Sequence, residues 1–199
     1  MDLPKSGSIE AFAMLVDING FGRLVNSDFP GIAQFVSDVM IGGVQQVQRF
    51  NGEVVGFAGD QFYALLDTAE NVFAVCAGIA KDMRRQYEFF AHVDERIVSD
   101  SKKFGLKIGI EYGHLDIGHI SSNFLGKQYI YTGRPPTYAA RIMSSKKPRG
   151  NKIVYGPKAY EMGMSQWASE GPFFTKGKRG EDKYEYYSLS LDEAWEPNQ

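Results

Sequence analysis

One cysteine and three histidines are all that this chain holds of disulfide formers and soft metal ligands. A single thiol, Cys76, excludes an internal disulfide framework, and three scattered histidines exclude a Cys/His metal cluster. Cys76 lies within "NVFAVCAGIA", where a small buried apolar residue is its simplest role. No apolar run approaches the ~20 residues needed to span a bilayer. The opening "MDLPKSGSIE" lacks the basic start and apolar core of a signal peptide, so a cytoplasmic protein is expected. A large excess of one sign of charge is missing as well. A formal net charge of -2 argues against a nucleic-acid binder working through bulk basicity. Repeats and low-complexity tracts are missing too. What remains is 199 residues, 43% hydrophobic and 23% charged, which suits one soluble globular domain over 1–199 with a real core.

The apolar residues are ordered. "IEAFAMLVDI" (Ile9–Ile18) is a run fit for a central strand, ending at an acid and a turn. From about Pro30, residues Ile32, Phe35, Val36, Val39, Met40, Val44 and Val47 recur at helical spacing, and Asn51-Gly52 closes that helix. "NGEVVGFAGDQFYALL" then reads as a hairpin, with strands near 53–58 and 61–66 interrupted by Gly56. A second helix is predicted over about 70–90, followed by a polar linker near 94–103 and two strands meeting around 112–114. After a short strand near 128–131 come a helix from Thr137, the strand "NKIVYG", a helix started by Pro157, and terminal strands near 173–175 and 183–189. The order predicts an α+β fold: a ferredoxin-like βαββαβ sheet with helices on one face, plus C-terminal additions.

Two acids stand at strand ends. Asp17 follows the first strand and precedes "INGFG", a turn able to expose successive backbone N–H groups; Asp60 sits in the hairpin turn. In a ferredoxin-like sheet these two elements are neighbours, so both carboxylates can project at one edge. Two acids beside a backbone nest suit divalent cations with phosphate oxygens. Taken singly, a Gly-Asp turn is usually just a turn and a strand-end acid is often a helix cap; the pairing with "DINGF" is what points to metal.

The motifs "AFAMLVDINGFGRL", "GEVVGFAGDQFYALL", "LKIGIEYGHLDIGHI" and "YTGRPPTYAARIM", in that order, resemble the catalytic domain of class III nucleotidyl cyclases over about Ile9 to Leu189. The resemblance implies that Asp17, Asp60 and the carbonyl of Ile18 hold two divalent cations, Mn²⁺ or Mg²⁺. One ion would activate the ribose 3′-hydroxyl and the other would neutralise the triphosphate. It implies that amides of Asn19, Gly20 and Phe21 cradle the outer phosphates, and that Arg141 stabilises the pentavalent transition state. "KGKRG" matches a basic loop from which Lys176 or Lys178 would reach the triphosphate. Such cyclases build shared sites in a head-to-tail homodimer, acids from one subunit and arginine from the other.

Three positions depart from the family pattern. A purine-reading lysine in "EVVKxxGD" is here Gly56, and a second base reader is here Ile130. The ribose-orienting asparagine is here Thr137, preceded by Pro135 and Pro136. Adenine and guanine codes are thus both missing, while the acids and the arginine stay. Bulky Phe50, Phe57 and Tyr129 are expected to fill space that a purine would take. The closest resemblance is to the pyrimidine cyclases of bacterial Pycsar antiphage systems. It implies conversion of UTP, less favourably CTP, into a cyclic monophosphate sensed by a separate effector. An adenylate or guanylate cyclase with atypical base contacts and a catalytically silent nucleotide-binding module are the alternatives.

Overall fold

The computed structural model describes residues 7–19, 21–26, 31–93, 105–122, 126–145, 152–167, 169–176 and 182–190. The first strand, β1 (Gly7–Asn19), is paired on one side along its whole length and on the other over Phe12–Asp17. Its alternation sends Phe12, Met14, Val16 and Ile18 into the main core and Ala11, Ala13 and Leu15 to the other face. A short helix, α1 (Phe21–Asn26), follows, which periodicity did not signal. Next comes α2 (Ile32–Arg49), burying Phe35, Val39, Gly43 and Val47. The hairpin β2 (Glu53–Ala58) and β3 (Gln61–Leu66) and the long helix α3 (Ala69–Val93) complete the first half.

The second half begins with β4 (Gly105–Ser122), a single strand of 18 residues where two were expected around 112–114. Gly113, at φ +151°, absorbs a distortion there that a side chain would resist, so the strand continues instead of turning. Beyond it come β5 (Gly126–Thr132), α4 (Arg134–Met143), β6 (Lys152–Tyr155), α5 (Pro157–Glu161), a 3₁₀ turn at Met164–Gln166, β7 (Glu170–Phe174) and β8 (Glu185–Ser190). Helix α4 starts three residues earlier than Thr137, because Pro135 and Pro136 fit the first turn, where no N–H is needed. The polar stretch 94–103 lies outside the described residues.

All eight strands share one sheet, ordered β2-β3-β1-β4-β6-β8-β7, with β5 paired to β4. The order β2-β3-β1-β4, with antiparallel neighbours throughout, is the ferredoxin-like core. Helices α2 and α3 cover one face of it, where Val39, Val47, Val72, Val75 and Ile79 meet the strands. The additions put α4 on the opposite face, through Tyr138, Ile142 and Met143 with Val154 and Leu15. Gly109 makes that seating possible: a Cβ there would stand 2.4 Å from the Ala139 carbonyl oxygen.

Candidate active site

Asp17 forms the last pair of the ladder with β3, opposite Gln61, and on the other side stands opposite Lys107. Gln61 Nε2 donates to Asp17 Oδ1 at 2.9 Å, which fixes that carboxylate at the sheet edge. Asp60 is held in the β2–β3 turn, where Gly59 supplies the positive φ of +64°. Burial pushes the Asp60 carboxyl above its ordinary value. A hydrogen bond with its own backbone lowers it, the neighbouring Asp17 raises it further, and Lys107 pulls it down. The sequence pairing of the two acids is therefore real in space. Ile18 is 2% exposed with its side chain in the main core, so its carbonyl is what it can offer a cation.

No cluster of three or more His, Cys, Asp or Glu side chains exists among the described residues. Two carboxylates this close, with Asp17 raising Asp60, suit a hard divalent cation that draws its remaining oxygens from main chain, water and phosphate. Asn19 ends β1 and Phe21 opens α1, so the expected phosphate cradle falls at a strand-to-helix junction. Gly20, between them, lies outside the described residues.

The positions expected to read the base are the informative ones. Gly56 sits at a bulge in β2, between Val54 and Phe57. It has no positive φ, and a Cβ placed on it would meet nothing within 4 Å. Neither backbone conformation nor crowding demands glycine here. A lysine would fit. Ile130 on β5 is 38% exposed and offers no hydrogen bond. The expectation for the bulky neighbours is corrected in part. Phe50 packs against the main core beneath α2, and Phe57, 62% exposed, pairs with Phe62 on the face opposite Gly56. The side chain of Tyr129 lies outside the described residues. What shares the Gly56 face is Tyr63, its ladder partner. Its buried hydroxyl has no hydrogen-bond partner among the described residues, and burial pushes its pKa up. Sequence reasoning missed Tyr63, although the hairpin register, read from the turn at Gly59-Asp60, would have found it.

Helix α4 carries the remaining candidates. Arg141 is exposed in its last turn, and Thr137 is exposed one turn earlier. Thr137 Oγ1 donates to the Gly133 carbonyl at 3.3 Å, a long bond that a ribose hydroxyl could replace. Beside Thr137 opens a cleft of about 590 Å³ lined by Arg134, Tyr138, Asp182, Lys183 and Tyr184. Lys176 is exposed just beyond β7, while Lys178 lies outside the described residues. Cys76 is buried in the main core, as its sequence context indicated. Among the described residues, no helix is long and apolar enough to cross a membrane.

Comparison with known proteins agrees with this fold. The chain is similar in structure to the guanylyl cyclase Cya2 (15% identity, TM-score 0.74, covering 93% of each chain). It is similar also to the adenylyl cyclase CyaB from P. aeruginosa (16% identity, TM-score 0.72, covering 93% of this chain and 95% of that one). A third similar structure is a class III adenylyl cyclase-like ATP-binding protein from Pseudomonas aeruginosa (15% identity, TM-score 0.62, covering 79% of this chain and 35% of that one). No curated protein matches the chain by sequence. The family profile described as adenylate and guanylate cyclase catalytic domain matches residues 6–190. With the sheet, the acid pair and that match in place, the chain belongs to the adenylate and guanylate cyclase catalytic domain family and is a nucleotide cyclase domain.

Proposed function

We propose that this cyclase acts on a pyrimidine nucleotide, UTP ahead of CTP, releasing the 3′,5′-cyclic monophosphate and pyrophosphate. The observation that carries the reading is Gly56. Its surroundings leave open the space for a base-reading side chain, and none is there. Ile130, the second reading position, is apolar and partly exposed. A purine presented to these positions would find no matched hydrogen bonds, and each unmatched polar group costs about 1–3 kcal/mol.

The remaining residues supply the chemistry. Asp17, Asp60 and the Ile18 carbonyl would hold two divalent cations, Mn²⁺ or Mg²⁺, which when bound activate the 3′-hydroxyl and offset triphosphate charge. The 3′-oxygen attacks the α-phosphorus, its bond to the bridging oxygen breaks, and pyrophosphate departs while the hydroxyl proton passes to solvent. Asn19, Gly20 and Phe21 amides orient the outer phosphates, with Lys176 or Lys178 added from the β7–β8 loop. Arg141 stabilises the pentavalent charge. Thr137 positions the ribose. Arg141 is exposed on α4 while the acids lie on β1 and the β2–β3 turn, which suits a site completed by a second copy of the chain in a head-to-tail homodimer. The cyclic product would act as a second messenger for a separate effector, in keeping with the Pycsar resemblance.

Restoring the missing readers tests this reading. The Gly56→Lys/Ile130→Asp double variant is expected to gain ATP conversion relative to UTP, measured by mass spectrometry of the cyclic products. A wild type that already converts purines best would overturn it. The silent-module alternative draws on the cyclase-like ATP-binding relative. It predicts stabilisation by triphosphates with no turnover of any of them.

A further inference from the structure

Lys152 opens β6 and is 2% exposed, an unusual place for an ammonium. The ladders set it in a transverse row. Gln61 on β3, Asp17 on β1, Lys107 on β4, Lys152 on β6 and Ser190 on β8 are successive register partners. Residues in such a row share one sheet face, and neighbouring strands lie about 4.8 Å apart. Lys152 therefore stands about 10 Å from Asp17, on the face that α4 covers. Its Nζ donates to the Ser145 carbonyl at 2.6 Å and meets Ser145 Oγ at 3.3 Å.

Ser145 lies just past the end of α4, one residue beyond its cap Ser144. Its N–H donates to the Ile142 carbonyl at 2.9 Å, and Ser144 Oγ donates to the Arg141 carbonyl at 2.7 Å. The negative end of the α4 dipole lies beside Ser145, so an ammonium bonded to the Ser145 carbonyl is well suited there. A buried charge is costly unless it is held by such bonds, and an apolar side chain would fill this place more cheaply. The role of a lysine here then lies in what it grips.

We infer that Lys152 is a positioning residue that pins the last turn of α4, and with it Arg141, to the strand row carrying Asp17. The inference rests on Arg141 acting at the α-phosphorus, as proposed above. One row of strands then sets both halves of the catalytic machinery that the chain contributes. A displacement of about 1 Å in a reacting group can cost about 10²-fold in rate. Lys152→Met, which keeps the volume but lacks the donor, is expected to lower kcat by about 10- to 100-fold while KM changes by only a few-fold.

Mixed dimers test this. In a shared site, a Lys152→Met subunit with an intact acid half should regain activity when mixed with Asp60→Ala subunits, and not with Arg141→Ala subunits. The opposite pattern, or wild-type turnover by Lys152→Met alone, overturns the inference. An Asp60→Ala and Arg141→Ala mixture reports separately on the shared site, because its silence would sink that reading and not the pin. Hydrogen exchange then decides the pin by itself. Faster exchange in Lys152→Met confined to residues 141–145 supports it, and unchanged exchange there overturns it.

Discussion

Gly109→Ala probes the seating of α4 with a single methyl group. The added Cβ would stand 2.4 Å from the Ala139 carbonyl oxygen and 2.8 Å from the Met143 Cβ. Neither atom can swing aside by a rotamer change, since one belongs to the backbone and the other is fixed to it. Ordinary contact begins near 3.4 Å, so the helix must retreat by about 1 Å. Overpacking of this kind costs about 1–3 kcal/mol. At about 2–4 °C per kcal/mol for a chain of this length, Tm should fall by about 2–12 °C. Activity should fall further than stability implies, because Arg141 moves with the helix. Gly56→Ala is the matched control: its Cβ meets nothing within 4 Å, so stability should hold or rise by about 0.5–1 kcal/mol. Thermal melts and initial rates on both variants decide the matter. A Gly109→Ala protein melting within 1 °C of wild type (about 0.3–0.5 kcal/mol) at full activity would refute the packing argument.

Three further perturbations reach other parts of the site. Asp60→Asn removes a carboxyl that burial and Asp17 disfavour in its charged form, so Tm without metal should hold or rise while Mn²⁺-dependent stabilisation disappears in a thermal-shift titration. Burial and the Lys107 charge pull Lys152 from 10.5 down to about 8, so the unfolded chain binds more protons between those values. Wild type should therefore gain stability on Lys152→Met as pH climbs from about 8 to 10.5, and denaturant melts across that window read the slope. Glu111 is 3% exposed and accepts from the Tyr112 and Ala159 amides at 2.9 and 2.8 Å, so Glu111→Ala should cost at least about 2 kcal/mol in chemical denaturation. Burial raises the Glu111 carboxyl despite those amides, so its contribution should weaken as pH rises above the ordinary carboxyl range, and Glu111→Gln should flatten that trend.

What was legible in the sequence was whatever repeats with a local period. The apolar runs gave β1, α2, the hairpin and α3, because each buries one face or both, and that pattern is written in consecutive residues. The acid pair was legible because a hairpin turn and a strand end are local features, and the scheme makes them neighbours. The continuity of β4 was not, since Gly113 reads as a turn until β1 is seen pairing on both sides of it. The purine-filling role given to Phe50 failed because depth is set by partners distant in sequence, whereas that given to Phe57 overlooked a local rule: adjacent strand residues face opposite sides, so Phe57 points away from the Gly56 face. The Asp17–Lys107–Lys152 row depends on a parallel pairing across 45 residues, which no local pattern encodes. Its one trace is that "LKIGI" and "NKIVY" each place a lysine at the head of an apolar strand.

The central claim, a cyclase whose base site has discarded its purine readers, is tested most directly by competition. Equimolar ATP, GTP, CTP and UTP with Mn²⁺ and the purified chain, products separated by mass spectrometry, should give cyclic UMP in excess of the other three, and none with Asp60→Asn. Cyclic AMP or cyclic GMP as the main product would contradict it, as would four untouched triphosphates.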